Sequence, residues 1–230
     1  MESRLPTVDG RSRMRAAGRP SRYDGPVSRP ADQEPPVTSG PWTRRTRQLA
    51  YENPWLQLFH DEVTRPDGGP GIYGVVHFRN LAVGVVALDD RDRVLLVGQH
   101  RYTLDAYSWE IPEGGVPPDE DPVAGARREL REETGVDATD WQEIVRFDLS
   151  NSVTDERGML YLATGLSDGV AEPDPTEALE IRWVPFAEAL AMTLDGRITD
   201  ALSIMGIQRV ALARLAAAAD AANKASAEGA

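Results

Sequence analysis

The sequence predicts an α+β fold: a mixed β-sheet with helices packed on it and an antiparallel hairpin at its N-terminal end. Three observations carry this. Short apolar segments bounded by Gly, Pro and Asp recur from Tyr51 onward, as strands do. Two of them, LAVGVVAL and VLLVGQHR, are apolar almost throughout, which suits strands covered on both faces. Helical runs stand between and after the strands, and that order gives a mixed sheet with helices on it.

The elements follow in order. Residues 1–46 mix Arg, Pro, Gly and Ser without hydrophobic periodicity, and such a segment buries too little apolar surface to offset its ordering entropy. It is expected to be a disordered extension. WLQLFHDEV and IYGVVHFR flank the turn formers of RPDGGPG and read as a hairpin, the arm of residues 47–80. LAVGVVAL and VLLVGQHR flank DDRDR in the same manner and open a core that runs over residues 81–218. WQEIVRFDLS, MLYLATGL and EIRWVP supply further strands, and PFAEALAMTL and ITDALSIMGIQRVALARL supply helices. Residues 219–230, at the end of an Ala-rich run of high helix propensity, are expected to fray into a polar tail.

Composition excludes several classes. The 230 residues contain no Cys, which removes disulfides, thiolate metal sites and a cysteine nucleophile. The net charge is −12, and because the first forty residues are net positive, the rest is more acidic still. Such a body repels a nucleic-acid backbone, so no nucleic-acid partner is expected. Neither a secretory signal nor an apolar run long enough to span a bilayer is read in the chain, and a cytoplasmic location without a membrane partner is the expectation.

The stretch EGGVPPDEDPVAGARRELREETGV, from Glu113 to Val136, carries the chemistry. Acids and Pro122 mark a helix start, and Gly135 marks its end. At about 100° per residue Glu129, Glu132 and Glu133 share one arc, beside an apolar arc of Val123, Ala126, Leu130 and Thr134. Like charges at this spacing repel by a few tenths of a kcal/mol per pair. Neutralisation by Arg127, Arg128 and Arg131 on a solvated helix is one account. A divalent cation held by oxygen ligands is the other.

The longer pattern decides between them. Gly114, five residues, Glu120, seven residues, then Arg128, Glu129, Leu130, Glu132, Glu133, Gly135 and Val136 resemble the Nudix box at every fixed position. At ordinary usage of roughly 5–7% per residue, chance agreement would arise in well under one chain in a million. The chain is therefore identified as resembling Nudix hydrolases, whose fold is a mixed sheet sandwiched between helices. The resemblance implies Mg²⁺ or Mn²⁺ as cofactor and a small nucleoside diphosphate substrate linked to a further group. It implies metal ligands at Glu129, Glu132 and Glu133 and at the backbone carbonyl of Glu113, with Glu132 also among the catalytic carboxylates. Arg128, Glu120, Gly114 and Gly135 support the box.

Outside the box, WEIPEGG, QHRYTLDAYSWE and LEIRWVPFAEAL resemble the ADP-ribose pyrophosphatase branch. That likeness implies substrate binding by Arg101, a homodimer built through the arm, and a general base at Glu177 or Glu180, between which the sequence does not choose. Rival substrates are NADH, GDP-mannose, dinucleoside polyphosphates and oxidised nucleoside triphosphates, and the rival class is a non-catalytic nucleotide-sugar sensor. Other signals carry less. The glycine spacing of Gly69, Gly71 and Gly74 lacks a following helix, and the elbow-like GLSDG runs into an acidic, Pro-containing loop. His60, His77 and His100 have no metal-ligand spacing.

Overall fold

The computed structural model describes residues 36–170 and 179–228. Among them the order is β1 (Val37–Ser39), β2 (Trp42–Glu52), β3 (Leu56–Thr64), β4 (Pro70–Phe78), β5 (Leu81–Ala87), β6 (Arg93–Arg101), β7 (Ala106–Glu110), β8 (Glu113–Val116), α1 (Pro122–Thr134), β9 (Val136–Asp148), β10 (Arg157–Asp168), β11 (Glu180–Pro185), α2 (Phe186–Asp195) and α3 (Ala201–Glu228). The strands form three sheets, β1-β2-β3-β4, β8-β5-β10-β9 and β11-β6-β7. Pairing is antiparallel except between β5 and β10, so the fold is α+β with a mixed sheet.

Helices cover the two central sheets on opposite sides. On one side α1 buries Ala126 and Leu130 against Val83, Val85, Leu95 and Val116. On the other, α2 and α3 bury Phe186, Met192, Leu202, Ile207 and Val210 against Val86, Val94, Leu96 and Leu160. β5 and β6 each send residues to both clusters, which accounts for their unbroken apolar character.

The hairpin expected around RPDGGPG is β3 and β4, in register from Leu56 opposite Phe78 to Thr64 opposite Pro70. Four expectations are corrected. β5 and β6 share only an isolated bridge, Leu88 to Val94, and then part: β5 pairs with β8 and β10, and β6 with β7 and β11. Strand also begins earlier than expected, at Val37. β2 lacks an alternating pattern and is held by its pairing to β3 and the Arg47–Asp61 ion pair. Finally, Ala201–Ser226 is long and apolar enough by length and composition to cross a bilayer. Its first turns are committed to the core through Leu202, Ile207 and Val210, and the helix continues to Glu228 where a frayed tail was expected.

Candidate active site

The acidic helix is fixed at both ends by its own sequence. The Asp121 side chain caps the start, accepting from the Val123 and Ala124 amides at 3.1 Å, and Pro122 needs no amide partner there. Gly135 ends it in the left-handed region at φ 70, where glycine carries no Cβ penalty, and its N–H bonds the Arg131 carbonyl.

Arg128 organises the acids. Its Nη1 donates to Glu129 at 2.8 Å and to Glu132 at 3.0 Å. Its Nε and Nη2 take the two Glu120 oxygens at 3.2 and 3.0 Å, and Nη2 also reaches the Gly115 carbonyl. One planar guanidinium thus spans helix, loop and strand, and the bond to Glu120 first among these partners holds its pKa above the ordinary arginine value. The repulsion among the helix acids has a counter-ion within the protein.

Glu129 and Glu133 lean onto the backbone of β8. A Cβ on Gly114 would stand 2.2 Å from Glu129 Cδ, so only glycine lets the strand and that carboxylate approach so closely. Glu133 is 4% exposed and accepts the Glu113 amide at 3.2 Å. Glu113 then links two groups: its amide faces the helix acids, and its carboxylate receives Arg101 Nη2 at 2.8 Å. Arg101 is also held in a fork by Glu110, with Nε on Oε1 at 2.9 Å and Nη2 on Oε2.

One carboxylate oxygen each of Glu110, Glu113 and Asp200 lies within 4.8 Å of the others. Burial, followed by the Asp200 and Glu110 charges, pushes the Glu113 pKa well above the usual carboxylate range, against the opposite pull of Arg101. Glu113 Oε2 is buried and has no hydrogen-bond partner among the described residues. Asp200 is set by capping α3, where it accepts the Ser203 amide at 2.7 Å, and Ser203 in turn accepts the Ile111 amide. Arg101, Glu110, Glu113, Gly114 and Asp200 line a cleft of about 700 Å³, whose other walls include Trp55, Phe78, Leu149 and Glu156.

The structure thus brings together Gly114, Glu120, Arg128, Glu129, Glu132, Glu133 and the Glu113 backbone, and joins Arg101 to them through the Glu113 side chain. Glu180 stands elsewhere. It pairs across from Gly98, whose neighbours Val97 and Gln99 share the face of Glu110 and Ser108, so strand alternation puts Glu180 on the other face. There it accepts from Tyr107 at 2.9 Å and Arg182 at 3.0 Å, and these bonds, Tyr107 first, lower its pKa. Glu177 lies outside the described residues. Glu110 and Asp200 were missed in the sequence; WEIPEGG contains the first, but nothing local marks the second.

A family model described as the NUDIX domain matches residues 78–202, from the end of β4 into α3. The chain belongs to the Nudix family. A second model, the nucleoside diphosphate sugar hydrolase N-terminal domain, matches residues 42–76, the region of β2 to β4. Among relatives, an ADP-ribose pyrophosphatase of Mycobacterium tuberculosis is 40% identical over 157 residues, covering 66% of this chain and 75% of that one. A CMP-5'-(N-acetyl-N-hydroxy-3-aminopropyl)phosphonate hydrolase of Streptomyces rubellomurinus is 31% identical over 170 residues, 74% of this chain and 82% of that one. A solved structure titled as an ADP compounds hydrolase superposes with a TM-score of 0.66 at 19% identity, covering 77% of this chain and 93% of that one, and shares the fold. This Nudix chain is a pyrophosphohydrolase related to the ADP-ribose pyrophosphatases.

Proposed function

We propose that this Nudix enzyme hydrolyses the pyrophosphate of ADP-ribose or a related nucleoside diphosphate sugar, releasing a nucleoside monophosphate and a sugar phosphate, with Mg²⁺ or Mn²⁺. The observation that carries the reading is Glu113, whose amide bonds the helix acid Glu133 and whose carboxylate meets Arg101 in the cleft. The 40% identity to an ADP-ribose pyrophosphatase supports the substrate.

The donor set suits a hard divalent cation. Glu129, Glu132 and Glu133 offer carboxylate oxygens, the Glu113 amide bonds Glu133, and the missing Cβ of Gly114 leaves the Glu129 carboxylate against the strand; the Glu113 carbonyl would be a further oxygen ligand. A bound cation would neutralise charge on the phosphate oxygens and lower the pKa of an attacking water.

The protein's own part is positioning. Water oxygen bonds to one phosphorus, the bridging P–O bond breaks, and the bridging oxygen leaves with the other phosphate. Arg101, oriented by Glu110, presents its remaining Nη1 edge as the cation for the pyrophosphate. The water proton passes to a carboxylate, for which Glu132, Glu177 and Glu180 are the candidates; Glu180 bonds Tyr107 and Arg182 on the sheet face opposite Glu110, which favours the other two. The arm of residues 47–80 would carry the homodimer, consistent with exposed Leu49, Tyr51 and Ile72 on that sheet.

The test is a panel of ADP-ribose, GDP-mannose, NADH and a dinucleoside polyphosphate with Mg²⁺ or Mn²⁺, with products resolved by chromatography. The expected result is AMP and ribose phosphate from ADP-ribose. Turnover of another compound with ADP-ribose untouched overturns the substrate, and tight binding without cleavage of any compound overturns the enzyme reading in favour of a sensor.

A further inference from the structure

Three carboxylates of the cleft wall come from three different elements. Glu110 ends β7, Glu113 opens β8 and Asp200 stands just before α3, and one oxygen of each lies within 4.8 Å of the others. None of them belongs to the acid face of α1. Glu110, 3% exposed, is gripped by Arg101 through Nε and Nη2. The Glu113 amide is tied to Glu133. Asp200 caps α3 through Oδ2, which accepts the Ser203 amide, and Ser203 Oγ accepts the amide of Ile111, between β7 and β8. These bonds set the first turn of α3 against the segment that carries Glu110 and Glu113.

The group is short of positive charge. Arg101 is the one basic residue among the described residues lining the cleft, and three carboxylates against one guanidinium leave two negative charges. Arg101 occupies both Glu110 oxygens and Glu113 Oε1. Glu113 Oε2 is buried and has no hydrogen-bond partner among the described residues. After burial itself, the Asp200 and Glu110 charges are what push this carboxyl group furthest above its ordinary pKa. A buried carboxylate oxygen without a donor or a cation is costly, and two further acids beside it add to the cost. A proton would neutralise one acid, whereas a divalent ion balances the whole group. Oxygens on opposite sides of such an ion stand roughly 4–5 Å apart, so three oxygens with no pair beyond 4.8 Å can share one. Carboxylates alone, without imidazole or thiolate, select a hard cation.

We propose that Glu110, Glu113 and Asp200 form a second divalent-cation site, separate from the acid face of α1 and joined to it by Glu113, whose amide meets Glu133 and whose carboxylate would ligate the second ion. The ligand class is a hard divalent cation such as Mg²⁺ or Mn²⁺. Beside Arg101, it would add positive charge to that wall of the cleft. The proposal concerns the ion and stands whichever compound is hydrolysed.

The experiment titrates Mn²⁺ into the wild-type chain, Asp200→Asn, Glu113→Gln and Glu129→Gln, counting the free ion by electron paramagnetic resonance. Asparagine keeps an acceptor for the Ser203 amide and glutamine keeps one for Arg101, and circular dichroism checks the fold; if one of these two variants does not fold, the other decides. At concentrations that fill the wild-type sites, Asp200→Asn and Glu113→Gln should each bind one Mn²⁺ fewer, a loss of affinity of about tenfold or more. Both should keep the ion that Glu129→Gln loses, and Glu129→Gln should keep theirs. Wild-type stoichiometry and affinity in either folded variant overturns the second site. A loss confined to Glu129→Gln overturns it while leaving the α1 acids as the cation site, and a wild type that binds no Mn²⁺ overturns both.

Discussion

Gly114→Ala isolates the geometry of the acid group with one methyl. The added Cβ would lie 2.2 Å from Glu129 Cδ and 2.4 and 2.5 Å from its two oxygens, well inside ordinary contact. Gly114 is not among the glycines of positive φ, so no backbone strain enters; the conflict is steric. Relief requires the Glu129 carboxylate to move by about an ångström, which breaks its 2.8 Å bond to Arg128 and leaves the position from which it would hold a cation. Displacement on this scale costs on the order of 100-fold in rate, whereas overpacking costs about 1–3 kcal/mol of stability. The assay is kcat on ADP-ribose against Mg²⁺ concentration, alongside a denaturant midpoint. A folded variant with a roughly hundredfold lower kcat and a weakened Mg²⁺ response is expected. Wild-type kcat at the wild-type Mg²⁺ response would refute the packing argument.

Further outcomes follow from the same contacts. Glu132→Gln or Glu133→Gln should lower turnover by orders of magnitude with the fold retained on circular dichroism; near-normal turnover in both removes the acids from the chemistry. Arg128→Lys should not restore the activity lost in Arg128→Ala, because an ammonium cannot serve Glu120, Glu129, Glu132 and the Gly115 carbonyl together. Glu180→Gln should keep kcat within about threefold, as expected for a surface group away from the cleft, whereas a loss of orders of magnitude would return it to the role of base. Glu156 titrates above its ordinary pKa of 4.5 in the folded protein, so the stability tied to it is present below that value and lost as pH rises through the folded pKa. Glu156→Gln should therefore unfold at a slightly higher temperature than wild type at pH 7.5, with the gap closing as pH falls toward 4.5.

The box was legible because it is local. Gly114 to Gly135 lie on one strand and one helix, so spacing alone sets which acids neighbour one another and where the helix ends. What the sequence did not reveal depends on tertiary contacts. Asp200 reaches Glu113 because α3 docks its first turn on the backbone of Ile111, and no local pattern records that contact. Glu156 faces the cleft because its loop is clipped to β4 through Val76, His77 and Phe78. β5 and β6 read as a hairpin because a short polar turn joins two apolar strands, yet each finds its ladder partners in a different sheet. The choice of base stayed open in the sequence, and alternation along β11 separates Glu180 from the face of Glu110 while Glu177 lies outside the described residues.

The most direct test of the central claim is Mn²⁺ binding, followed by electron paramagnetic resonance, in the wild-type chain and in Glu129→Gln and Glu133→Gln. The account predicts saturable binding by wild type, weakened about tenfold or more in each variant, with turnover lost in parallel. Equal Mn²⁺ affinity in all three proteins would contradict it.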